Sequence, residues 1–236
     1  MIDLSQHFDQ FNLQARLFPA LLMCSPALFI IGLLWPTGPL ARLAPLAVTV
    51  GLLFFLADFV RGRGQTLQRE LIDKWGGLPT QNALWLTRTE NPVRTRDRRE
   101  MVERLTGRKL PTKRLEKNNA TRAAQEYNAA IDELIPKIRG KESDDLLHKE
   151  NIRYSFRRNA LAVRLSALWI AGTCTAVALL AAVMGDQRSE ALTALGISLL
   201  AFAGWMVVRE SWVKQAADTY SDRFYEAIRR LVSRTQ

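Results

Sequence analysis

Few residues of this 236-residue chain have the types and spacing that chemistry at a site requires. The chain has two histidines, His7 and His148, and two cysteines, Cys24 and Cys174. These are too few and too far apart for a histidine- or cysteine-rich metal site or for a disulfide framework. The HExxH, GxSxG, Walker and GxGxxG motifs are all absent. We therefore predict a protein without enzymatic activity, metal or cofactor.

The strongest chemical signal is a concentration of positive charge. Residues 61–160 carry 23 Lys and Arg against 14 Asp and Glu, and the whole chain has a net charge of +10. Clustered basic side chains attract the phosphate groups of lipids, nucleotides and nucleic acids. The candidate residues for binding an anionic ligand or partner form two groups: Arg94, Arg96, Arg98 and Arg99, then Arg108, Lys109, Lys113 and Arg114.

Two alternatives to a specific anion site remain open for this basic segment. Loops that face the cytoplasm are generally enriched in Lys and Arg, so the charge could serve orientation alone. Nucleic acid is weakly indicated, because only Trp75, Trp85 and Tyr127 offer aromatic rings for stacking nearby. Four arginines within positions 94–99 exceed what orientation requires, which favours binding for that group.

Asp58 is the one acidic residue inside an otherwise apolar segment. An ionisable side chain within a membrane segment is a functional candidate by default, here as part of an ion path. Asp58 also lies three residues before Arg61, so an i,i+3 ion pair at the membrane surface is the simpler account, and the ion path is the alternative.

Four apolar segments determine the predicted architecture. Each holds 18 to 20 residues, and at ~1.5 Å rise per residue each can just cross a hydrocarbon core of ~30 Å. We predict an all-α integral membrane protein with four transmembrane helices in two hairpins and a helical cytoplasmic module. The predicted spans are residues 17–35, 43–60, 165–184 and 191–208.

The contrast between short and long connections predicts the orientation. The links at 36–42 and 185–190 are short and nearly uncharged, whereas the long middle segment is strongly basic. This contrast places both termini and the middle segment in the cytoplasm. The predicted parts are a transmembrane hairpin (1–60), a basic helical module (61–160), a second hairpin (161–208) and a C-terminal cytoplasmic helix (209–236).

Helical periodicity and helix-ending residues divide the cytoplasmic parts. We predict helices over 61–75, ended by Gly76, over 95–105, and over 120–138, where apolar residues recur at helical spacing. The short apolar segment 82–86 fits either a strand or a helix, and we favour a helix. We also expect one helix from residue 144 into the third span, and an unbroken helix from the fourth span into the tail.

The C-terminal tail carries a heptad seam. Its residues, separated alternately by four and three positions, are Val213, Ala217, Tyr220, Phe224, Ala227 and Leu231. The seam is shorter than three heptads, so it has two interpretations. It packs against the chain's own helix at 120–138 or 144–164, or it joins neighbouring subunits of a homo-oligomer.

Residues 61–88 (RGRGQTLQRELIDKWGGLPTQNALWLTR) resemble a segment of uncharacterised bacterial four-span membrane proteins with a basic cytosolic insert. The overall layout is also similar to that of bacterial antiphage membrane effectors. The resemblance implies an oligomeric membrane protein whose cytoplasmic part senses a ligand or partner. Its spans would respond by permeabilising the membrane. The alternative is a membrane scaffold that recruits a cytosolic protein or nucleic acid.

Overall fold

The structure is a computed structural model, and it describes residues 10–34, 39–138, 144–184 and 188–234. The side chains at 10, 32–50, 53 and 144 are outside the described set. Every regular element of the described residues is helical, so the predicted all-α class is confirmed. In chain order these elements are α1 (Gln10–Asn12), a π-helical turn (Leu13–Leu17), α2 (Phe18–Leu34), α3 (Pro39–Trp75), α4 (Pro79–Asn82), α5 (Pro92–Thr106), α6 (Lys113–Asn118), α7 (Ala120–Ile138), α8 (Asp144–Met184), α9 (Arg188–Met206) and α10 (Glu210–Arg234).

Three helical segments of the described chain are long and apolar enough to cross a membrane: Leu13–Ile31, Asp145–Met184 and Arg188–Met206. Only 22–28% of the residues in their most apolar stretches are buried within the chain. Large apolar side chains are therefore left facing outwards, which suits lipid far better than water. The predicted second span, 43–60, lies inside α3, where the side chains at 43–50 are outside the described set.

The chain divides into two compact units. The first unit comprises residues 1–68 and 155–213 and includes the candidate spans. The second unit comprises residues 69–154 and 214–236, so α10 belongs largely to the same unit as α4 to α7.

The core of the first unit is built on small side chains of α8 that face α2 and α3. Ala160, Val163 and Ala167 are buried with Met23 and Val60. Small residues let helices approach closely, which is how helices pack when lipid supplies no hydrophobic driving force. A polar residue, Asn159, lies at the edge of this core.

Asn159 is almost completely buried and is held by three hydrogen bonds. Its Nδ2 donates to the carbonyl oxygen of Ala15 at 2.6 Å, and its Oδ1 accepts from Arg158 Nε at 3.2 Å and Nη2 at 3.0 Å. Gly64 of α3 lies directly against this amide, and a Cβ at that position would collide with Asn159 Oδ1. The close approach of the two helices therefore requires glycine at position 64.

The predicted unbroken helix from the fourth span into the tail is wrong. α9 ends at Met206 and α10 begins at Glu210. Arg164 of α8 donates from Nε to the carbonyl oxygen of Trp205 at 3.2 Å and from Nη2 to that of Met206 at 3.4 Å. The last carbonyls of a helix lack partners within it, so these donors stabilise the break. The three residues between the two helices, 207–209, include neither glycine nor proline.

In the second unit, α7 covers Ala120–Ile138, as the apolar periodicity predicted. Its apolar face meets α10 in one core, in which Tyr127, Leu134, Phe224 and Ile228 are fully buried. α3 ends at Trp75, directly before Gly76, as predicted. Gly76 takes a φ of +66°, a left-handed conformation that glycine adopts without steric cost and that ends the helix.

Candidate functional site

α5 carries the arginine group, and its ends are fixed locally. The side chain of Asn91 accepts a hydrogen bond from the amide of Arg94 at 3.0 Å, Pro92 occupies the first turn, and Gly107 ends the helix with a φ of +70°. Residues four apart share one face of a helix. Arg94 and Arg98 therefore lie on a common face, while Arg96 and Arg99 point elsewhere.

Arg94 and Arg98 both bind Asp222 of α10. Their Nη2 atoms lie 2.8 Å and 2.7 Å from the same oxygen, Asp222 Oδ1. The guanidinium of Arg98 also lies 4.5 Å from the ring centre of Tyr225, an arrangement that attracts a cation to the aromatic face. Arg94 is 54% exposed and Arg98 only 12%. Two positive side chains thus share one carboxylate, and a net positive charge remains.

Arg99 lies inside the second unit and does not fit the prediction that it contacts an external anion. Its Nη1 donates to the carbonyl oxygen of Leu84 at 2.8 Å and to Tyr127 Oη at 2.6 Å, and its Nη2 donates to the carbonyl oxygen of Pro111 at 2.6 Å. A buried guanidinium is stable only when it is paired and hydrogen-bonded in this way. An external anion would have to break these bonds, so the role of Arg99 is structural.

Glu116 is the acidic partner in this buried network. Its Oε1 accepts from Tyr127 Oη at 2.6 Å and from the amide of Leu86 at 2.9 Å, and its Oε2 accepts from the amide of Thr87 at 2.8 Å. Arg99 Nη1 lies 3.8 Å from Oε1. Burial alone would raise the pKa of Glu116, but these hydrogen bonds outweigh it and hold the pKa below its ordinary value.

This network also explains why the expected helix over 82–86 is wrong. α4 ends at Asn82, and the following backbone leaves the helix. Side chains of Arg99 and Glu116 satisfy the backbone groups of residues 84, 86 and 87 that a helix would otherwise pair internally. Sequence reasoning missed Glu116. The available signal was the tyrosine on the apolar face of α7, since a buried tyrosine hydroxyl usually has a partner.

The second basic group is only partly engaged. Arg108 Nε lies 2.8 Å from Glu133 Oε2, whose other oxygen accepts from Lys137 at 2.9 Å. These hydrogen bonds from Arg108 and Lys137 lower the pKa of Glu133. Four basic residues of the two predicted groups are exposed and form no ion pair with any described residue: Arg96, Lys109, Lys113 and Arg114.

Asp58 is exposed in the first unit and does not form the expected ion pair with Arg61 among the described residues. Both side chains instead line a cavity together with Arg16. Within the described chain, no group of three or more His, Cys, Asp or Glu side chains is placed to hold a metal ion.

The heptad residues lie inside the chain's own fold. Phe224, Ala227 and Leu231 belong to the core of the second unit with α7, and Tyr220 packs against its edge. Val213 and Ala217 are also buried. The seam residues from Tyr220 to Leu231 therefore pack within the chain, together with the helix at 120–138. Packing within one chain does not test the predicted role of these residues in assembly, which stays a prediction. Oligomerisation itself stays a prediction.

Comparison of this chain with protein families, with curated proteins and with solved structures found no match. The resemblance at residues 61–88 therefore stays a prediction.

Proposed function

We propose that this chain is a non-enzymatic bacterial inner-membrane protein with four spans, and that its cytoplasmic module senses an anionic ligand or partner. The observation that carries this proposal is the shared contact of Arg94 and Arg98 with Asp222. It joins the basic helix α5 to α10, the helix that follows the last candidate span after three residues.

The charge balance of this contact supports sensing. One carboxylate neutralises one of the two guanidinium groups, and Asp222 and Arg94 are each about half exposed. A ligand with a doubly charged oxyanion, such as a phosphate monoester, would neutralise both arginines and displace Asp222. The exposed pair of Arg94 with Asp222 contributes only about 0–1 kcal/mol. The pair of the more buried Arg98 contributes more, so the ligand must bind the released state tightly enough to offset both pairs.

Release of Asp222 would weaken the contact of α10 with α5. Because only three residues separate α10 from α9, a movement of α10 would be transmitted to α9. The spans of a homo-oligomer would then respond, by permeabilising the membrane in antiphage defence. Orientation with both termini in the cytoplasm follows from the basic middle segment and from the nearly uncharged links.

Hydrogen exchange of the purified full chain tests the sensing step, with inorganic pyrophosphate as the probe. We expect the probe to increase exchange of α10 amides in the wild type and to have no effect when Arg94 and Arg98 are both replaced by Gln. Asp222→Asn should show the increase without the probe. Asp218→Asn is the control, because Asp218 pairs with Lys214 one turn earlier on the same helix. The proposal fails if the two Asp variants behave alike.

Cysteine labelling tests the orientation, in a chain whose Cys24 and Cys174 are replaced by Ala. An impermeant thiol reagent added outside should modify Gly38→Cys and Gln187→Cys, but neither Glu90→Cys nor Arg229→Cys. The reverse pattern would refute the topology. Dye uptake by cells that express Asp222→Asn, compared with Asp218→Asn, tests permeabilisation.

The second candidate function is a membrane scaffold that recruits a cytosolic protein or nucleic acid. It is favoured by four exposed residues that form no ion pair with the described part of the chain: Arg96, Lys109, Lys113 and Arg114. Binding of a nucleic acid to them should weaken steeply with salt, since bound counterions are released. Replacing these four residues by Gln should abolish such binding and leave the response of α10 to pyrophosphate intact. The two candidates are thereby distinguished.

A further inference from the structure

The first unit contains a cavity of about 320 Å³ with a charged side and an apolar side. This volume falls within the range of small-molecule sites, about 300–1,000 Å³. Arg16, Asp58 and Arg61, together with the polar but uncharged Asn12, form the charged side. Leu13, Leu17, Phe54 and Ala57 form the apolar side.

The charged side offers both signs of charge. Arg16 is held in place, because its Nη1 donates to Asn12 Oδ1 at 2.5 Å and its guanidinium lies 5.5 Å from the ring centre of Phe11. Arg61 and Asp58 are exposed and make no ion pair with any described residue. The cavity therefore offers guanidinium groups that can bind an anionic group and a carboxylate that can bind a cationic group.

The position of this cavity along the chain indicates which molecules reach it. Arg16 stands at the start of the first candidate span, and Asp58 and Arg61 stand at the end of the predicted second span. Charged residues at the ends of membrane helices lie at the level of the lipid headgroups. Lipids are therefore the ligands present at high local concentration.

We infer that this cavity binds a phospholipid whose headgroup carries both a phosphate and a primary ammonium, as in phosphatidylethanolamine. Arg16 and Arg61 bind the phosphate, and Asp58 accepts hydrogen bonds from the ammonium. The apolar side contacts the first carbons of the acyl chains. This site is separate from the contact of α5 with α10, and it does not depend on the proposed sensing function.

The assignment of Asp58 predicts selectivity among headgroups. The quaternary ammonium of phosphatidylcholine has no N–H to donate to a carboxylate. Phosphatidylglycerol carries no ammonium, so its headgroup brings no charged N–H donor to Asp58. The phosphate is common to all three lipids, whereas the partner for Asp58 is found only in phosphatidylethanolamine.

Native mass spectrometry of the purified full chain in detergent tests the inference, with an equimolar mixture of the three lipids. We expect one tightly retained phosphatidylethanolamine per chain. Arg61→Gln should weaken retention by about tenfold, the effect of losing one charge-assisted hydrogen bond. Arg63→Gln, a change to an exposed arginine of the same helix that does not line the cavity, should have no effect. Asp58→Asn should abolish the preference over phosphatidylcholine.

The wild type alone can overturn the inference, so the test does not depend on the folding of any variant. Equal retention of phosphatidylethanolamine and phosphatidylcholine would exclude the role of Asp58. Displacement of the lipid by millimolar inorganic phosphate would mean that the cavity takes a free anion and that the acyl chains contribute nothing. An identical loss of lipid retention in Arg61→Gln and Arg63→Gln would exclude the cavity as the binding site.

Discussion

Arg98 and Asp222 lie 124 residues apart in the chain, yet Arg98 Nη2 is 2.7 Å from Asp222 Oδ1. This bond fastens α10 to α5, and Tyr225 lies one turn further along α10, under the same guanidinium. Tyr225 Oη in turn donates to the carbonyl oxygen of Thr80, which ties α10 to α4 as well. The C-terminal helix is therefore an integral part of the second unit.

The two arginines that share Asp222 should differ in their contribution to stability. Arg98 is largely buried and lies over Tyr225, so Arg98→Gln should lower the free energy of unfolding by about 1–3 kcal/mol. Arg94 is more than half exposed, so solvent screens its bond and Arg94→Gln should cost about 0.5 kcal/mol or less. Unfolding of the purified chain in guanidinium chloride, monitored by near-ultraviolet circular dichroism, measures the loss of stability in both variants. An equal loss of stability in Arg94→Gln and Arg98→Gln would contradict the difference in burial between the two arginines.

Glu116 should make the stability of the second unit depend on pH and decrease in acid. Its pKa in the folded state is below the ordinary value of 4.5, so its contribution is complete above pH 4.5 and is lost as the pH falls through the lower folded value. Glu116→Gln should cost about 3–5 kcal/mol at pH 7, because Arg99 then lacks its buried partner. Melting curves from pH 7 to pH 2 should show that this difference shrinks with acidification.

Glu100→Gln is the control for the acid prediction. Glu100 is exposed on α5 and forms no ion pair with a described residue. Its replacement should change stability little at any of these pH values. A constant difference between the wild type and Glu116→Gln over the whole range would contradict the lowered pKa of Glu116.

Phe224 and Tyr220 should affect folding and leave any assembly intact. Phe224 is 1% exposed in the core of the second unit, so Phe224→Ala should cost about 3–5 kcal/mol. Tyr220 is only partly buried at the edge of that core, so Tyr220→Ala should lower the free energy of unfolding by less. Light scattering measures the mass of each variant beside its melt. Dissociation of an oligomer with an unchanged melt would instead indicate that these residues join subunits.

Gly64 and Gly62 of α3 should respond in opposite directions to alanine. A Cβ at Gly64 collides with Asn159, which its bonds to Ala15 and Arg158 hold in place, so Gly64→Ala should cost about 1–3 kcal/mol. Nothing lies within 4 Å of a Cβ at Gly62, so Gly62→Ala should stabilise the helix by about 0.5–1 kcal/mol. Thermal melts in detergent compare the two. A gain in stability from both substitutions would exclude the close approach at Gly64.

The sequence by itself determined the features that depend on neighbouring residues. The apolar face of α7 recurs at helical spacing, and its bounds were predicted correctly at 120–138. Gly76 and Gly107 end their helices with positive φ angles, a conformation that glycine adopts without steric cost. The apolar segments at 17–35, 165–184 and 191–208 were recognisable because membrane-crossing length is a local property.

Only the tertiary structure decided which side chains meet across the chain. The end of α9 depends on donors from Arg164, which is 41 residues away from Trp205 and leaves no local signal. The positive charge of α5 was evident from the sequence. The sequence did not show that Arg99 is buried beside Glu116, whereas Arg94 and Arg98 bind Asp222. These contacts require Glu116 and α10 in their folded positions, because the partner of a charged group is fixed by distance in space and not by spacing in the chain.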